Sequence, residues 1–330
     1  MKLSLLVYTY KQKNELNIFL ENCTNQIDEN FEIILSLNKP TLEELEIIYK
    51  YKKKLENKIQ VLINDKRQMF SSEFIKMLNL AKGEYIAFIN PSTFLESEFT
   101  QLFSTFSNKH KADMIEFKPS YKGFFEIELR QRIAEKKVFN LKEEKKVLAY
   151  ILPIIFNKFF NREKFIKILP KLENKNISNS KIWIDLVFKF LLNTETYVYI
   201  NTVLISDFNE KNFVNNPSAL IKEWDGIEKY IKNEFPDFIQ EIQYNKIYNL
   251  ALFLPGILNP YTKHRIKNFI FKNHLPTSIS RFYKKIKDMK VNEFFIIISL
   301  NKYFLDNDWE KMVILKDLAP NKWKNLTRKL

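Results

Sequence analysis

The chain is 330 residues long, 45% hydrophobic and 15% aromatic, which is enough for a full core and for more than one packing unit. Its four glycines, Gly83, Gly123, Gly226 and Gly256, stand too far apart for a glycine-rich phosphate loop, and a single cysteine with three histidines supplies neither a disulfide framework nor a Cys/His zinc site. A net charge of +14 favours anionic partners, whether nucleotide phosphates, a membrane leaflet or nucleic acid.

In chain order, KLSLLVYTY predicts a strand, followed by a helix from about Asn14 to Gln26, the strand FEIILS and the helix TLEELEIIYKYKKKLE. Next come the strand KIQVLI, a helix from about Ser71 to Ala81, the strand EYIAFIN, a helix from Glu96 to Phe106 and the strand ADMIEF. Nearly wholly apolar strands separated by amphipathic helices, such as the one carrying Leu16, Phe19, Leu20 and Cys23, imply a mostly parallel sheet covered on both faces. From Tyr121 to Leu148 the pattern becomes charged, and surface excursions are expected there.

Residues 178–205 predict a helix capped by Asn179 or Ser180 and then a β-rich run. The rest is expected to be helical, with breaks at Pro236, Pro255, Pro260 and Pro276. The fold class is therefore α/β over residues 1–205, with a helical, basic C-terminal domain over 206–330. The apolar run Leu3 to Val7 is too short for a signal peptide, and no stretch approaches the roughly 20 apolar residues of a spanning helix, so a cytoplasmic protein is expected.

The segment Lys263–Lys290 holds Lys263, Arg265, Lys267, Lys272, Arg281, Lys284, Lys285, Lys287 and Lys290 against Asp288, interleaved with Phe269, Ile270, Phe271, Phe282, Tyr283 and Ile286. Such a segment suits an anionic membrane surface, here the inner face of the cell membrane, and equally a solvated helix face in a lysine-rich protein. No nucleic-acid-binding motif accompanies it, and no nucleic acid partner is expected.

Val7 to Lys11, then Thr24, Asn25 and Gln26, then Phe31 to Ile34, and Ala81 to Phe88 (AKGEYIAF) together resemble the nucleotide-sugar half of family 2 glycosyltransferases, the GT-A type, over the first 117 residues. The resemblance implies a GT-A-like, Rossmann-like sheet and a nucleotide-sugar site at Tyr8, Thr9, Tyr10, Asn38, Lys39, Asn90 and Ser92. The frame of each motif is present, while its chemistry is changed. Where the family has carboxylates after its second strand, this chain has Ser36, Leu37, Asn38 and Lys39. On the third crossover it has Arg67, Met69, Glu73, Phe74 and Ile75 in place of the family's Asn, Gly and Ala-Arg-Asn. The metal-gripping Asp-x-Asp is Asn90, Pro91, Ser92.

Mg²⁺ is usually held through one or two carboxylates and the substrate phosphates, so no metal ligand is assigned. Mg²⁺ or Mn²⁺ enters as cofactor only if the altered site still binds a nucleotide sugar. Glu96 and Glu98 are conceivable substitute ligands, although first-turn acids are commonplace in helices; Lys11 and Lys39 are conceivable counter-charges to a diphosphate. In SKIWIDLVFKFLL, preceded by the family-like IIFNKFFNREKF, Asp185 matches the family's catalytic base, and it would equally serve as an ordinary first-turn acid.

The implied function is that of a glycosyltransferase-like protein of bacterial surface glycan or glycolipid assembly. Its partners would be a nucleoside-diphosphate sugar and a glycan or lipid acceptor. The alternative is a catalytically inactive relative that scaffolds or regulates an active partner transferase.

Overall fold

A computed structural model describes residues 1–122, 127–172, 181–208, 216–258 and 275–316. The N-terminal part alternates as β1 (Leu3–Thr9), α1 (Lys13–Thr24), β2 (Phe31–Asn38), α2 (Leu42–Leu55), β3 (Ile59–Asn64), α3 (Phe70–Leu80) and β4 (Tyr85–Ile89). These strands pair in parallel in the order β3-β2-β1-β4. The order reverses between β1 and β4, and it is at the carboxyl ends of such a pair that sheets of this kind take ligands.

The expected helices form where the apolar spacing put them: Leu16, Phe19, Leu20 and Cys23 of α1 are buried. α2 starts on a capping box, in which the Glu44 N–H donates to Thr41 Oγ1 and the Thr41 N–H donates to Glu44 Oε2. The expected start of the next helix at Glu96 is corrected. Residues Thr93–Leu95 form a short strand, β5, and α4 covers Phe99–His110, because β5 has a distant partner that local sequence does not reveal.

The larger sheet continues beyond β4 as β10-β6-β11-β9, with β6 at Met114–Phe117, β9 at Val138–Asn140, β10 at Lys158–Asn161 and β11 at Thr196–Ile200. β10 runs antiparallel between β4 and β6 and turns its two phenylalanines to opposite faces. Short helices α5 (Lys146–Tyr150) and α6 (Arg162–Ile168) flank β10 in the chain; Phe159 meets Phe103 of α4 at 4.6 Å between ring centroids, and Phe160 meets Phe190 of α7 (Ile184–Leu192) at 5.0 Å. A second sheet has the order β5-β12-β7-β8, with β7 at Ser120–Lys122, β8 at Ile127–Glu128 and β12 at Ile205–Phe208. β12 therefore straddles position 205 and pairs with strands of the N-terminal part.

The charged stretch from Tyr121 to Leu148 is a surface excursion in part: among its described residues the charged ones from Glu135 to Lys137 and at Lys142 and Glu143 are exposed, while apolar residues anchor it. Tyr121, Leu129, Ile133, Phe139, Leu141 and Val147 are buried, Tyr121 on β7 and Phe139 on β9, where strand pairing draws them in. Asn179 and Ser180 lie outside the described residues; α7 itself begins with Trp183 at its N-cap and no side-chain cap bond.

The remaining described residues are mostly helical, as expected: α8 (Pro217–Glu234), α9 (Ile239–Tyr248), and further helices at Leu275–Met289, Phe295–Leu300, Lys302–Leu305 and Asp308–Leu315. Pro236 opens a 3₁₀ turn between α8 and α9. Pro255 does not break a helix. It follows a π-helical turn, Asn249–Phe253, in which Leu254 N–H donates to Asn249 O, a wider register that relieves the crowding a proline ring causes. Pro276 stands in the first turn of its helix and Pro260 lies outside the described residues. Partly buried Arg132 ties this part to the sheets through Glu310 (3.2 Å) and lies over the Tyr248 ring.

The expectation of a leaflet-facing apolar side on the basic segment is corrected in part. Phe282 and Ile286 are buried, on a helix that packs against α8, while Arg281, Lys284, Lys285 and Lys287 of that helix are exposed. Lys263, Arg265, Lys267, Lys272 and Phe269 to Phe271 lie outside the described residues. No helix among the described residues is long and apolar enough to cross a membrane.

Candidate functional site

The candidate site begins with β1, which delivers Tyr8, Thr9 and Tyr10 to its carboxyl end. The Tyr8 hydroxyl donates to Gln68 O at 2.9 Å and its ring meets Phe70 edge-on at 5.4 Å, which pins the loop between β3 and α3 over the sheet. Thr9 is fully buried and its Oγ1 has no hydrogen-bond partner among the described residues. Tyr10 carries the Arg67 guanidinium over its ring at 4.7 Å, worth about 0.5–1 kcal/mol at an exposed site. Lys11 and Lys39 both adopt left-handed φ, 55° and 47°. Lys39 thus keeps the backbone turn that would suit a glycine there.

β2 ends in a closed polar network. Asn38 is fully buried; its Oδ1 accepts from Gln68 N–H (3.1 Å) and Asn64 Nδ2 (3.3 Å), and its Nδ2 donates to Ser36 Oγ (3.1 Å). Beneath it, buried Glu73 accepts from Ser36 Oγ (2.7 Å), Asn64 Nδ2 (2.8 Å) and Lys76 Nζ (2.7 Å). Burial pushes the Glu73 carboxyl up, and these three donors outweigh it, holding the group below the usual glutamate range. The sequence thus retains one negative charge under the β2 end, on the third crossover rather than on the strand.

Across the switch point, the turn after β4 is built around the Asn90 amide. Its Oδ1 accepts from Gln12 Nε2 (3.1 Å) and Ser92 N–H (3.0 Å), with Ser92 Oγ also at 3.0 Å. Ser92 Oγ lies 3.1 Å from Asp207 Oδ1 on β12, and Lys181 Nζ donates to both oxygens of Asp207, at 2.7 and 3.0 Å. Lys181 and Asp207 are 5% and 1% exposed. Burial pushes Asp207 up, and the pull of Lys181 and Ser92 does not fully reverse it.

A divalent ion does not fit this donor set. The Asn90 oxygen is taken by protein donors, the one Ser92 hydroxyl proton is shared between two acceptors, and the nearby carboxylate already holds an ammonium. Among the described residues, no group of three or more His, Cys, Asp or Glu is placed to hold a metal. Glu96 faces Lys122 at 3.8 Å, while Glu98 sits at the N-cap of α4, where its carboxylate accepts from Ser97 Oγ.

Aromatic packing sets the start of α7. Phe88 of β4 lies 4.9 Å from Phe74, 5.8 Å from Trp183 and 5.9 Å from Phe165, ring pairs of about 0.5–1.5 kcal/mol each beyond their burial. Ile155 N–H donates to Lys181 O and Trp183 N–H donates to Pro153 O, which fixes the strand-like residues before the helix. Asp185 follows in the first turn. Its Oδ1 pairs with buried Lys189 at 2.8 Å, Lys189 Nζ also donates to Lys171 O, and the Asp185 N–H donates to Glu223 of α8.

Asn90 and Ser92 therefore lie in direct contact, and Tyr8 and Asn38 meet through Gln68, while the contacts above tie Asp185 to α7 and α8. Gln12, Gln68, Lys181 and Asp207 were not foreseen. A lone acid in the otherwise apolar strand LISDF was the available signal, since a buried carboxylate demands a partner.

Comparison with known proteins follows the same lines. The family model described as "Glycosyl transferase family 2" matches residues 4–169, half of the chain. A poly(ribitol-phosphate) beta-glucosyltransferase of Bacillus spizizenii is 28% identical over 116 residues, a match spanning 34% of this chain and 18% of that relative's length. Among solved structures, S. aureus TarS 1–349 in complex with UDP superimposes with a TM-score of 0.60 at 16% identity, covering 96% of this chain and 88% of that one. The longer TarS structure gives 0.59 over 76% of this chain and 44% of its own. The mannosyltransferase PcManGT from Pyrobaculum calidifontis, in complex with GDP-Man and Mn2+, gives 0.51 at 11% identity over 98% and 87%. The structural likenesses show the GT-A fold. With the family model matched across the first half, the chain belongs to glycosyl transferase family 2.

Proposed function

We propose that this protein transfers a sugar from a nucleoside diphosphate to a hydroxyl of a bacterial surface glycan, with an alditol-phosphate polymer as the acceptor class. The observation that supports this reading is the parallel pairing of β1 and β4 at the switch point, after which Tyr8 to Tyr10 and Asn90 to Ser92 follow at neighbouring strand ends in the frame of family 2. Tyr8 and Tyr10 stand at the end of β1 where a base would lie, Tyr10 with Arg67 over its ring, and Asn38 holds the Gln68 loop beside Tyr8. Exposed Lys39 and Lys11 supply positive charge at the rim. Asp185 takes the acceptor proton as the hydroxyl oxygen bonds to the anomeric carbon and the bond to the diphosphate oxygen breaks; Lys189 fixes the carboxylate's orientation.

Two further observations support the choice of acceptor. The matched part of the Bacillus relative belongs to an enzyme named for poly(ribitol-phosphate). A cleft of about 710 Å³ between α8 and the Leu275–Met289 helix is lined by Lys222, Arg281, Lys284 and Lys285 against Asp288, a surface suited to a polyanion.

The test is turnover of UDP-glucose, UDP-GlcNAc and GDP-sugars with an alditol-phosphate polymer. Asp185→Asn is expected to abolish transfer and leave donor affinity unchanged; unchanged transfer would remove Asp185 from the mechanism. Absence of transfer, with a second, motif-complete transferase co-purifying, would favour the scaffold alternative.

For location, exposed Val291, Phe295, Ile296 and Leu300 recur on one side of a helical run beside the basic helix, which supports residence on an anionic leaflet. Flotation with anionic vesicles that weakens with salt is expected; indifference to lipid charge would dismiss it.

A further inference from the structure

An unbroken series of polar contacts runs from Gln12 at the start of α1 through Asn90 and Ser92 to Asp207 on β12 and the Lys181 ammonium. Stability alone does not explain that end. A buried ion pair costs desolvation that its attraction barely repays, and apolar residues of similar volume usually serve a core as well or better. The pair also lies beside the two residues, Asn90 and Ser92, that replace the family's metal-gripping acids. In charge it matches what it stands beside: a divalent cation on two carboxylates is neutral before phosphate arrives, and so is one ammonium on one carboxylate.

Resting on the transferase reading above, we propose that Lys181 is the fixed cation of the donor site. Oriented by Asp207, it presents to the sugar-nucleotide diphosphate the positive group that a carboxylate-held metal ion would otherwise present, so that donor binding needs no divalent ion. A lysine acts as a point charge on phosphate, and here its stem is held by the strand-like contacts of residues 181–183 rather than left to search. When the diphosphate departs, the ammonium stabilises the leaving charge without itself bonding to it covalently.

The experiment is calorimetric titration of the full chain with UDP-GlcNAc, UDP-glucose and GDP-mannose, in excess EDTA and in millimolar Mn²⁺. At least one donor is expected to bind with the same affinity, within about twofold, in both buffers. Lys181→Met is expected to weaken it by more than about tenfold. Because that variant leaves Asp207 buried and alone, the double variant Lys181→Met/Asp207→Asn, checked for a wild-type-like melting transition, is expected to show the same loss. Binding seen only with Mn²⁺, or a folded double variant that binds as tightly as wild type, would overturn the assignment while leaving the transferase reading intact. No binding of any donor in either buffer would sink both.

Discussion

The two ends of the central sheet treat the family's residues in opposite ways. At the amino end, Glu32 of β2 accepts from Ser4 Oγ (2.7 Å), Lys82 N–H (2.6 Å) and Gln60 Nε2 (3.2 Å), while Gly83 N–H donates to Ser4 Oγ (2.8 Å) and Gly83 O accepts from Arg162 Nε (3.0 Å). These are the residues of FEII and AKGEY, and each is fixed by backbone or by a buried partner. At the carboxyl end the family's acids are replaced by amides and hydroxyls that satisfy one another. Packing thus holds one end to the family's letters, whereas at the other end different residues hold one another.

That contrast is open to a graded set of substitutions, each measured by urea unfolding. Lys181→Met, which strands a buried carboxylate at the carboxyl end, is expected to cost about 3–5 kcal/mol, most of it recovered when Asp207→Asn is added. Gly83→Ala follows at about 3 kcal/mol, since an added Cβ would meet the backbone of Leu3 and Ser4 at 2.6–2.7 Å; a loss under half a kcal/mol would deny that close approach. Removing the shared acceptor with Glu32→Ala is expected to cost about 2 kcal/mol.

At the smaller end of the scale, Lys39→Gly relieves a left-handed backbone and is expected to be neutral or stabilising by up to about 1 kcal/mol. Destabilisation instead would show that the lysine side chain itself holds the turn. The subtlest effect is on pH dependence. Glu73 titrates lower folded than unfolded, so its stabilisation is present above the usual glutamate value and is lost as pH falls through the folded one. Glu73→Gln should flatten that acid limb, and an unaltered limb would place its charge elsewhere.

The sheet was readable from local pattern because each of β1 to β4 is a short apolar run between amphipathic helices, and their register needs nothing distant. β10 was harder. Its KFFN has no alternation to announce an antiparallel strand in mid-sheet, since both of its faces are covered. The site divides in the same way. Asn90 and Ser92 sit at a motif and were found by position, whereas Lys181 and Asp207 are separated by 26 residues and meet only because Trp183 is drawn under Phe88 and β12 returns beside β5. Glu73 was noticed as a substitution, but its role as the charge beneath Asn38 depends on Ser36 and Asn64, which the fold alone brings to it.

The most direct measurement is diffraction from crystals grown with UDP-GlcNAc and Mn²⁺, collected at the manganese edge. The expected result is nucleotide at the β1/β4 switch point, its diphosphate beside Lys181, and no anomalous peak near Asn90. A manganese peak coordinated by Asn90, Ser92 or Asp207, with Lys181 turned away from the phosphates, would contradict a lysine as the cation of this site.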